Sequence, residues 1–196
     1  MFSVGGMSEC GKSYAGKFLA ERGVARIKIA KVLADVGEEL GHDPEAEGFT
    51  SRLYDLHFEP AMELFLTKAI QMADAAPMAA GCLESMYRPA MARYLTERLG
   101  AQMVHIYIEV PLDVRLERQF QAVQNIFMRL GLPPDSKGSA EVRAELDAAL
   151  IERDAMKTAR GVPELRPLAT HIIDNSGTLE SYNDALESVL KAAGIG

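Results

Sequence analysis

The stretch SVGGMSECGKSYAGKFL, residues 3–19, combines glycines, serines and a lysine directly after an apolar opening. Within it, GMSECGKS matches the pattern G-x-x-x-x-G-K-[ST] at Gly6, Gly11, Lys12 and Ser13. A loop that wraps phosphate oxygens with its backbone N–H groups needs glycines, because side chains would block the approach. The helix that follows directs its unsatisfied N–H groups and positive dipole end toward the same anion. The stretch therefore predicts a phosphate-binding loop between a strand and a helix.

The residue types in this loop predict how it would bind a nucleotide. Lys12 is expected to reach the β- and γ-phosphates, and the Ser13 hydroxyl is expected to ligate Mg²⁺. An incidental glycine turn is the alternative, but the motif follows an apolar strand and opens an amphipathic helix, as phosphate binding requires. The residues predicted to contact the nucleotide here are Gly6, Met7, Ser8, Glu9, Cys10, Gly11, Lys12, Ser13 and Tyr14.

The composition is that of an ordinary globular domain. The 196 residues include 48% hydrophobic and 25% charged side chains, which suits one domain with a full core. The net charge of −7 argues against binding to nucleic acid, since phosphate backbones attract basic surfaces. The sequence shows neither a charged-then-apolar leader at Met1 nor an apolar run of about 18 residues. We therefore expect a cytoplasmic protein with no membrane partner, in which Cys10 and Cys82 are free thiols.

Short apolar runs alternate with helical patterns along the chain. Strands are predicted at 1–4, 24–29, 77–83, 103–110 and 169–174. Helices are predicted at 12–22, 30–41, 48–75, 86–99, 112–130, 139–160 and 179–193. Strands separated by helices require crossover connections, which give a parallel sheet with helices on both faces. The sequence thus predicts a single three-layer α/β domain over residues 1–196.

The second half of the chain contains the signals for a helix boundary and for a lid. ESMYRPAMARYLTERLG has Ser85 as the expected N-cap of a helix, Pro89 in its first turn and Gly100 as its stop. Further on, the loop-like break GLPPDSKGSAE (131–141) lies within a helix-rich excursion over about 118–165. That excursion is too short to be a domain, and it is expected to form a helical lid.

The loop alone leaves several classes of nucleotide-binding protein open. GTPases read guanine with an N-K-x-D motif after a late strand, and the sequence contains no such motif. Large motor ATPases need a longer chain and an apolar strand that ends in an aspartate. Small kinases, which have a substrate-binding helical region and an arginine-bearing lid, remain as the class that fits.

At three places the chain resembles the nucleoside/nucleotide-kinase-like branch of P-loop kinases, especially dephospho-CoA kinase and adenylate-kinase-like proteins. The first place is GMSECGKS itself. IYIEVPLDVRLERQF (106–120) looks like the fourth strand of the family and the helix after it. ERDAMK…ATHIIDNSGTLESYNDAL (152–186) looks like the distal end of the lid, the fifth strand and the turn that borders the adenine. The resemblance implies a five-stranded sheet in the order 2-3-1-4-5, ATP as phosphoryl donor with Mg²⁺, and contact of Asn175 and Gly177 with the nucleotide.

Arginines cluster at the edges of the predicted lid, and phosphoryl transfer depends mostly on positioning and on neutralising charge. They are Arg115, Arg118, Arg129, Arg153 and Arg160. Closure of a lid would bring a subset of them over the phosphates and exclude water. Arg118 and Arg153 also match the family pattern, so they are predicted to be catalytic. Solvated helix charge is the alternative for each arginine, and Lys157 is a lesser lid candidate.

In such kinases the phosphoryl acceptor binds to the region after the second strand, here about 30–75. Arg52 and Arg88 are candidates to bind an anionic acceptor, since parallel sheets bind ligands at the C-terminal ends of their strands. The carboxylate that dephospho-CoA kinases carry after this strand is absent from KIAKVLAD or displaced to Asp35. Glu84 is the preferred candidate for a general base or Mg²⁺ partner, because its strand should lie beside the loop. The alternative for Glu84 is an acid that favours a helix N-terminus.

Two hypotheses about function follow from these residues. The first is an ATP- and Mg²⁺-dependent kinase acting on a nucleotide, nucleoside or dephospho-CoA-like small molecule, with or without homodimer formation. The second is a regulatory switch that hydrolyses ATP slowly and signals through closure of the lid. The missing carboxylate favours the switch, and the arginine-rich lid favours the kinase. Lys28 and Lys31 point to a phosphorylated or carboxylated acceptor, or else to a solvated helix start.

Overall fold

Five parallel strands form one sheet in the order β2-β3-β1-β4-β5. The computed structural model describes residues 1–129 and 139–195. The strands are β1 Phe2–Gly5, β2 Ala25–Lys28, β3 Gly81–Met86, β4 Val104–Glu109 and β5 His171–Asp174. The α/β class and the strand order that the sequence predicts are therefore confirmed.

The helices connect and flank these strands. Within the described residues they are α1 Lys12–Ala20, α2 Ile29–Glu39, α3 Phe49–Asp74, α4 Pro89–Leu99, α5 Leu112–Arg129, α6 Ser139–Ala159 and α7 Leu179–Ala192. Two 3₁₀-helices, Gly100–Gln102 and Val162–Leu168, were not part of the prediction. Leu130 and most of the predicted break at 131–141 lie outside the described residues. In the part of the chain that is described, every helix is too short or too polar to traverse a bilayer.

The hydrophobic core occupies both faces of the sheet, and successive strand residues alternate between them. On β4, Ile106 and Ile108 pack on one face together with α1 and α7. Tyr107, between them, packs on the opposite face with α2, α3 and α4. Because both faces are covered, the strands read as apolar runs rather than as alternating polar and apolar residues.

The start of α4 differs from the prediction. Ser85 lies inside β3 with φ 69°, so the prediction of Ser85 as the N-cap is wrong. Arg88 occupies the N-cap position, and Pro89 is the first helical residue. The strand continues to Met86 because Met86 pairs with Gly5 of β1 beyond an irregularity at Ser85, and the same pairing places Glu84 opposite Val4 and close to the loop after β1.

The segment predicted as a lid corresponds to α5, α6 and the 3₁₀-helix that follows them. Leu150 on α6 is buried, as are Val162 and Leu165 after it. Val162 and Leu165 belong to the same core cluster as the residues of α2, α3 and α4. The chain after α6 is therefore anchored to the body of the fold.

Candidate functional site

The loop between β1 and α1 forms a backbone cradle that only glycine permits at two positions. Gly6 has φ 136° and Gly11 has φ 104°, which L side chains rarely adopt. A Cβ atom on Gly6 would lie 2.5 Å from the carbonyl oxygen of Ile108. A Cβ atom on Gly11 would lie 2.6 Å from Nδ2 of Asn175. The two glycines of the sequence motif are thus required by the geometry of the loop.

Two side chains from the C-terminal part of the chain, Asn175 and Tyr182, form hydrogen bonds with the backbone of this loop. Asn175 is buried, and its Nδ2 donates a hydrogen bond of 3.0 Å to the carbonyl oxygen of Cys10. The Tyr182 hydroxyl donates one of 3.1 Å to the carbonyl oxygen of Gly11. A trans peptide directs its N–H away from its C=O, so the N–H groups of Gly11 and Lys12 point away from these supports. Asn175, which is predicted to border the adenine, thus also holds the loop.

Lys12 folds back over the loop that precedes it. It is only 8% exposed, and its ammonium group donates to the carbonyl oxygen of Met7 and, at 3.5 Å, to Sγ of Cys10. A buried ammonium group needs such partners because desolvation of the charge is costly. Lys12 lines two cavities.

Behind the start of α1, a buried carboxylate connects the loop to β2. The Ser13 hydroxyl donates to Oε1 of Glu84 at 2.8 Å, and Nε of Arg26 donates to Oε2. Glu84 is 6% exposed. Burial alone would raise the pKa of Glu84, but the hydrogen bonds from Arg26 and Ser13 outweigh burial and lower that pKa, so the group is ionised. A Cβ atom on Gly16 would lie 2.8 Å from Oε2 of Glu84, so glycine in α1 makes room for the pair.

These oxygen atoms suit Mg²⁺ that is shared with nucleotide phosphates. Mg²⁺ prefers oxygen ligands, keeps several waters and is commonly bound by one or two protein groups plus substrate phosphates. The Ser13 hydroxyl and the Glu84 carboxylate are such groups, and they lie together beside the phosphate loop. Over residues 1–129 and 139–195, no cluster of three or more His, Cys, Asp or Glu side chains could hold a metal ion.

A second buried ion pair connects the loop to α5 and α6. Of its two residues, the sequence pointed to Arg115 but not to Asp154. Arg115 forms an ion pair with Asp154, and its Nη1 also donates to the carbonyl oxygen of Ser8 at 3.0 Å. The N–H of Ser8 donates in turn to Oδ1 of Asp154 at 3.0 Å. Burial would raise the pKa of Asp154, but the bonds from Arg115 and Ser8 lower it. The only signal for Asp154 in the sequence was its place in ERDAMK. We name Ser8, Arg115 and Asp154 the loop clamp.

The larger of the two cavities beside Lys12 has a volume of about 630 Å³ and lies between the loop and the lid helices. The predicted catalytic residues Arg118 and Arg153 both line it. Nη2 of Arg118 donates to the carbonyl oxygen of Gly177 at 3.2 Å. Nη1 of Arg153 lies 3.5 Å from Oε1 of Glu9. The structure thus brings the two arginines to the same cavity as the phosphate loop, and Gly177 contacts one of them.

The smaller cavity, of about 350 Å³, is also lined by Lys12 and lies near the ends of β2 and β3. Glu84, Lys28 and Tyr87 are among the residues that line it. The two cavities share part of their lining, namely Lys12, Ser85, Lys157 and Arg160.

Three residues predicted to bind the acceptor lie elsewhere. Arg52 is exposed on α3 and is not among the residues that line either cavity. Asp35 is exposed on α2 and lines a separate cavity of about 280 Å³, together with Arg26 and Lys31. Arg88 stacks over the ring of Tyr54 at 4.9 Å. Of the two candidate carboxylates, only Glu84 lies beside the phosphate loop.

Comparison with known proteins identifies the fold. No family model matches the sequence, and the comparison with curated proteins gives no match. TT1252 from Thermus thermophilus is 17% identical over 97% of this chain and 96% of that chain, with a TM-score of 0.57. A gluconokinase from Sinorhizobium meliloti 1021 is 16% identical over 98% and 93% of the two chains, with a TM-score of 0.50. The chain therefore has the fold of the P-loop nucleotide-kinase-like proteins, as its sequence resemblance predicts.

Proposed function

We propose that the protein is a phosphotransferase that moves the γ-phosphoryl group of ATP to a small-molecule acceptor. One observation supports this above the others: two cavities of about 630 and 350 Å³ meet at the phosphate-loop lysine, Lys12. A donor in the larger cavity and an acceptor in the smaller one would face each other across that lysine, as in-line transfer requires. The gluconokinase with the same fold lends support to a kinase.

In this proposal the chain supplies positioning and positive charge rather than covalent chemistry. The loop amides and Lys12 bind the donor phosphates, and Arg118 and Arg153 neutralise charge on the transferred group. Ser13 and Glu84 hold Mg²⁺, which supplies further neutralisation at the phosphate oxygens when it is bound. The same proposal puts the protein in the cytoplasm, where ATP is available.

A second candidate, the slow ATPase switch, is favoured by the surroundings of Glu84. Both of its carboxylate oxygens are already occupied, one by Ser13 and the other by Arg26. A carboxylate in that state is poorly placed to take a proton from an acceptor. If transfer to the acceptor requires such a base, the protein would bind ATP and hydrolyse it slowly without phosphorylating an acceptor.

Turnover with a panel of acceptors distinguishes the two candidates. Purified protein would be incubated with ATP and Mg²⁺, alone and with nucleosides, nucleotides, dephospho-CoA and small hydroxy acids, and the products weighed by mass spectrometry. The kinase predicts that one acceptor stimulates turnover and gains the mass of a phosphoryl group. Uniformly slow hydrolysis with no phosphorylated product would support the switch. Failure to bind ATP would overturn both.

A further inference from the structure

Lys157 is one of two lid residues, with Arg160, that line both cavities. It is half-buried on α6, and it lines both the larger and the smaller cavity together with Lys12. Arg118 and Arg153, by contrast, are among the lining residues of the larger cavity and not of the smaller one. A group that moves from one cavity to the other would therefore pass Lys157.

The loop clamp holds Lys157 in this place. Asp154 and Lys157 are three residues apart on α6, so they lie on the same face of the helix. The side chains of Arg115 and Asp154 are only 7% and 12% exposed, and both bond to the backbone of Ser8. The face of α6 that carries Lys157 is thus fastened directly to the phosphate loop.

The charges around Lys157 are mostly positive, and the carboxylates among them are already paired. Asp154 is bound by Arg115, Glu84 is bound by Arg26, and Glu9 lies 3.5 Å from Arg153. Burial and the nearby ammonium group of Lys12 lower the pKa of Lys157 to about 8. The titratable and charged groups around it are Glu9, Cys10, Lys12 and Tyr14 from the loop and α1, Arg118 from α5, Arg153, Asp154 and Arg160 from α6 and its end, and Lys28, Glu84 and Tyr87 from the strand ends.

We propose that Lys157 is a catalytic residue whose ammonium group, together with Lys12, binds the phosphoryl group as it passes between the two cavities. This inference rests on the phosphotransferase function proposed above. In the transfer, the bond from the γ-phosphorus to the bridging oxygen breaks and ADP leaves with that oxygen. A bond forms from the acceptor oxygen to the phosphorus, and the acceptor proton goes to water. Lys157 keeps its proton throughout and neutralises charge.

Binding of phosphate should then be linked to uptake of a proton. With a pKa of about 8, roughly half of the Lys157 side chains are neutral at pH 8 in the free protein. A bound polyphosphate favours the charged form, so binding drives protonation of the remainder. The change is measurable by calorimetric titration with MgATP at pH 8 in two buffers that differ in ionisation enthalpy.

The titration would compare the wild type with three variants. The wild type should take up about half a proton per bound ATP. Lys157→Arg should bind MgATP without that uptake, because a guanidinium group stays protonated. Lys157→Met should also lose the uptake, and should bind MgATP about 10-fold more weakly. Lys191→Met, which removes an exposed lysine on α7, should behave as the wild type.

Turnover gives a second readout once an acceptor is known. Lys157→Met should lower kcat by about 100-fold, as expected for loss of a group that binds the transition state. Unchanged proton uptake and affinity in Lys157→Met would overturn the role of Lys157 while leaving ATP binding in place. Absence of MgATP binding by the wild type would overturn the phosphotransferase proposal and this inference together.

Discussion

At the scale of single residues, Lys12 is buried and lines both the larger and the smaller cavity. Its ammonium group is held by a loop carbonyl and a thiol, so its loss removes few contacts from the core. Lys12→Ala should therefore abolish ATP turnover while the far-UV circular dichroism spectrum stays that of the wild type. Lys17→Ala, which removes an exposed lysine from the same helix, is the matched control. Activity in Lys12→Ala within a few-fold of the wild type would contradict the role of Lys12.

The substitution Gly16→Ala tests whether the ion pair of Glu84 and Arg26 is rigid. Helix propensity alone predicts that Gly16→Ala stabilises the protein by up to about 1 kcal/mol. The new Cβ, however, would lie 2.8 Å from Oε2 of Glu84, an oxygen held in place by Arg26. Crowding in a packed interior typically costs 1–3 kcal/mol, so we expect a net loss of about 1 kcal/mol. Urea denaturation measures the difference, and a gain in stability would show that Glu84 is free to move.

At the scale of elements, two ion pairs join α5 to α6, and their burial predicts different contributions to stability. Arg115 and Asp154 are 7% and 12% exposed, whereas Arg143 and Glu117 are 43% and 46% exposed. Breaking a buried pair by removing one partner costs about 3 kcal/mol, because an unpaired buried charge remains. An exposed pair contributes roughly 0.5 kcal/mol.

We therefore expect Asp154→Asn to lower the free energy of unfolding by about 3 kcal/mol. Glu117→Gln should lower it by about 0.5 kcal/mol. Asp154→Asn should also weaken ATP binding, because Ser8 loses a partner that fixes the phosphate loop. Chemical denaturation and equilibrium binding measure the two effects. Equal losses of stability in the two variants would show that the loop clamp contributes no more than a surface pair.

At the scale of the whole molecule, nearly all helix positions could be predicted because they depend on local periodicity, whereas the sheet order followed from the family resemblance. The phosphate loop could be predicted because its motif lies within eight consecutive residues, Gly6 to Ser13. The ion pairs around it could not. Arg115 and Asp154 are 39 residues apart, and Arg26 and Glu84 are 58 apart. Such pairs arise when strands and helices assemble, and no short pattern records them. The N-cap at Ser85 was wrong for the same reason, since pairing with β1 extends β3 past it.

The stability of the whole molecule should fall in two steps as the pH is lowered. His105 is buried between β1 and α4, where Ser3 and Thr96 bond its two ring nitrogens at 2.6 and 2.8 Å. Burial lowers the pKa of His105 below its ordinary value of 6.5. The unfolded chain then binds a proton before the folded one does, so stability is lost as the pH falls below about 6.5.

The second step comes from the buried carboxylates. The pKa values of Glu84 and Asp154 are lowered from 4.5 and 3.8, so their contribution to stability is present above those values and is lost as the pH falls through the folded-state values. Urea denaturation at a series of pH values should show a shallow decline between pH 7 and 5 and a steeper one below pH 4.5. In His105→Gln the shallow decline should disappear while the steep one remains. If His105→Gln keeps the full decline above pH 5, then His105 is not its cause.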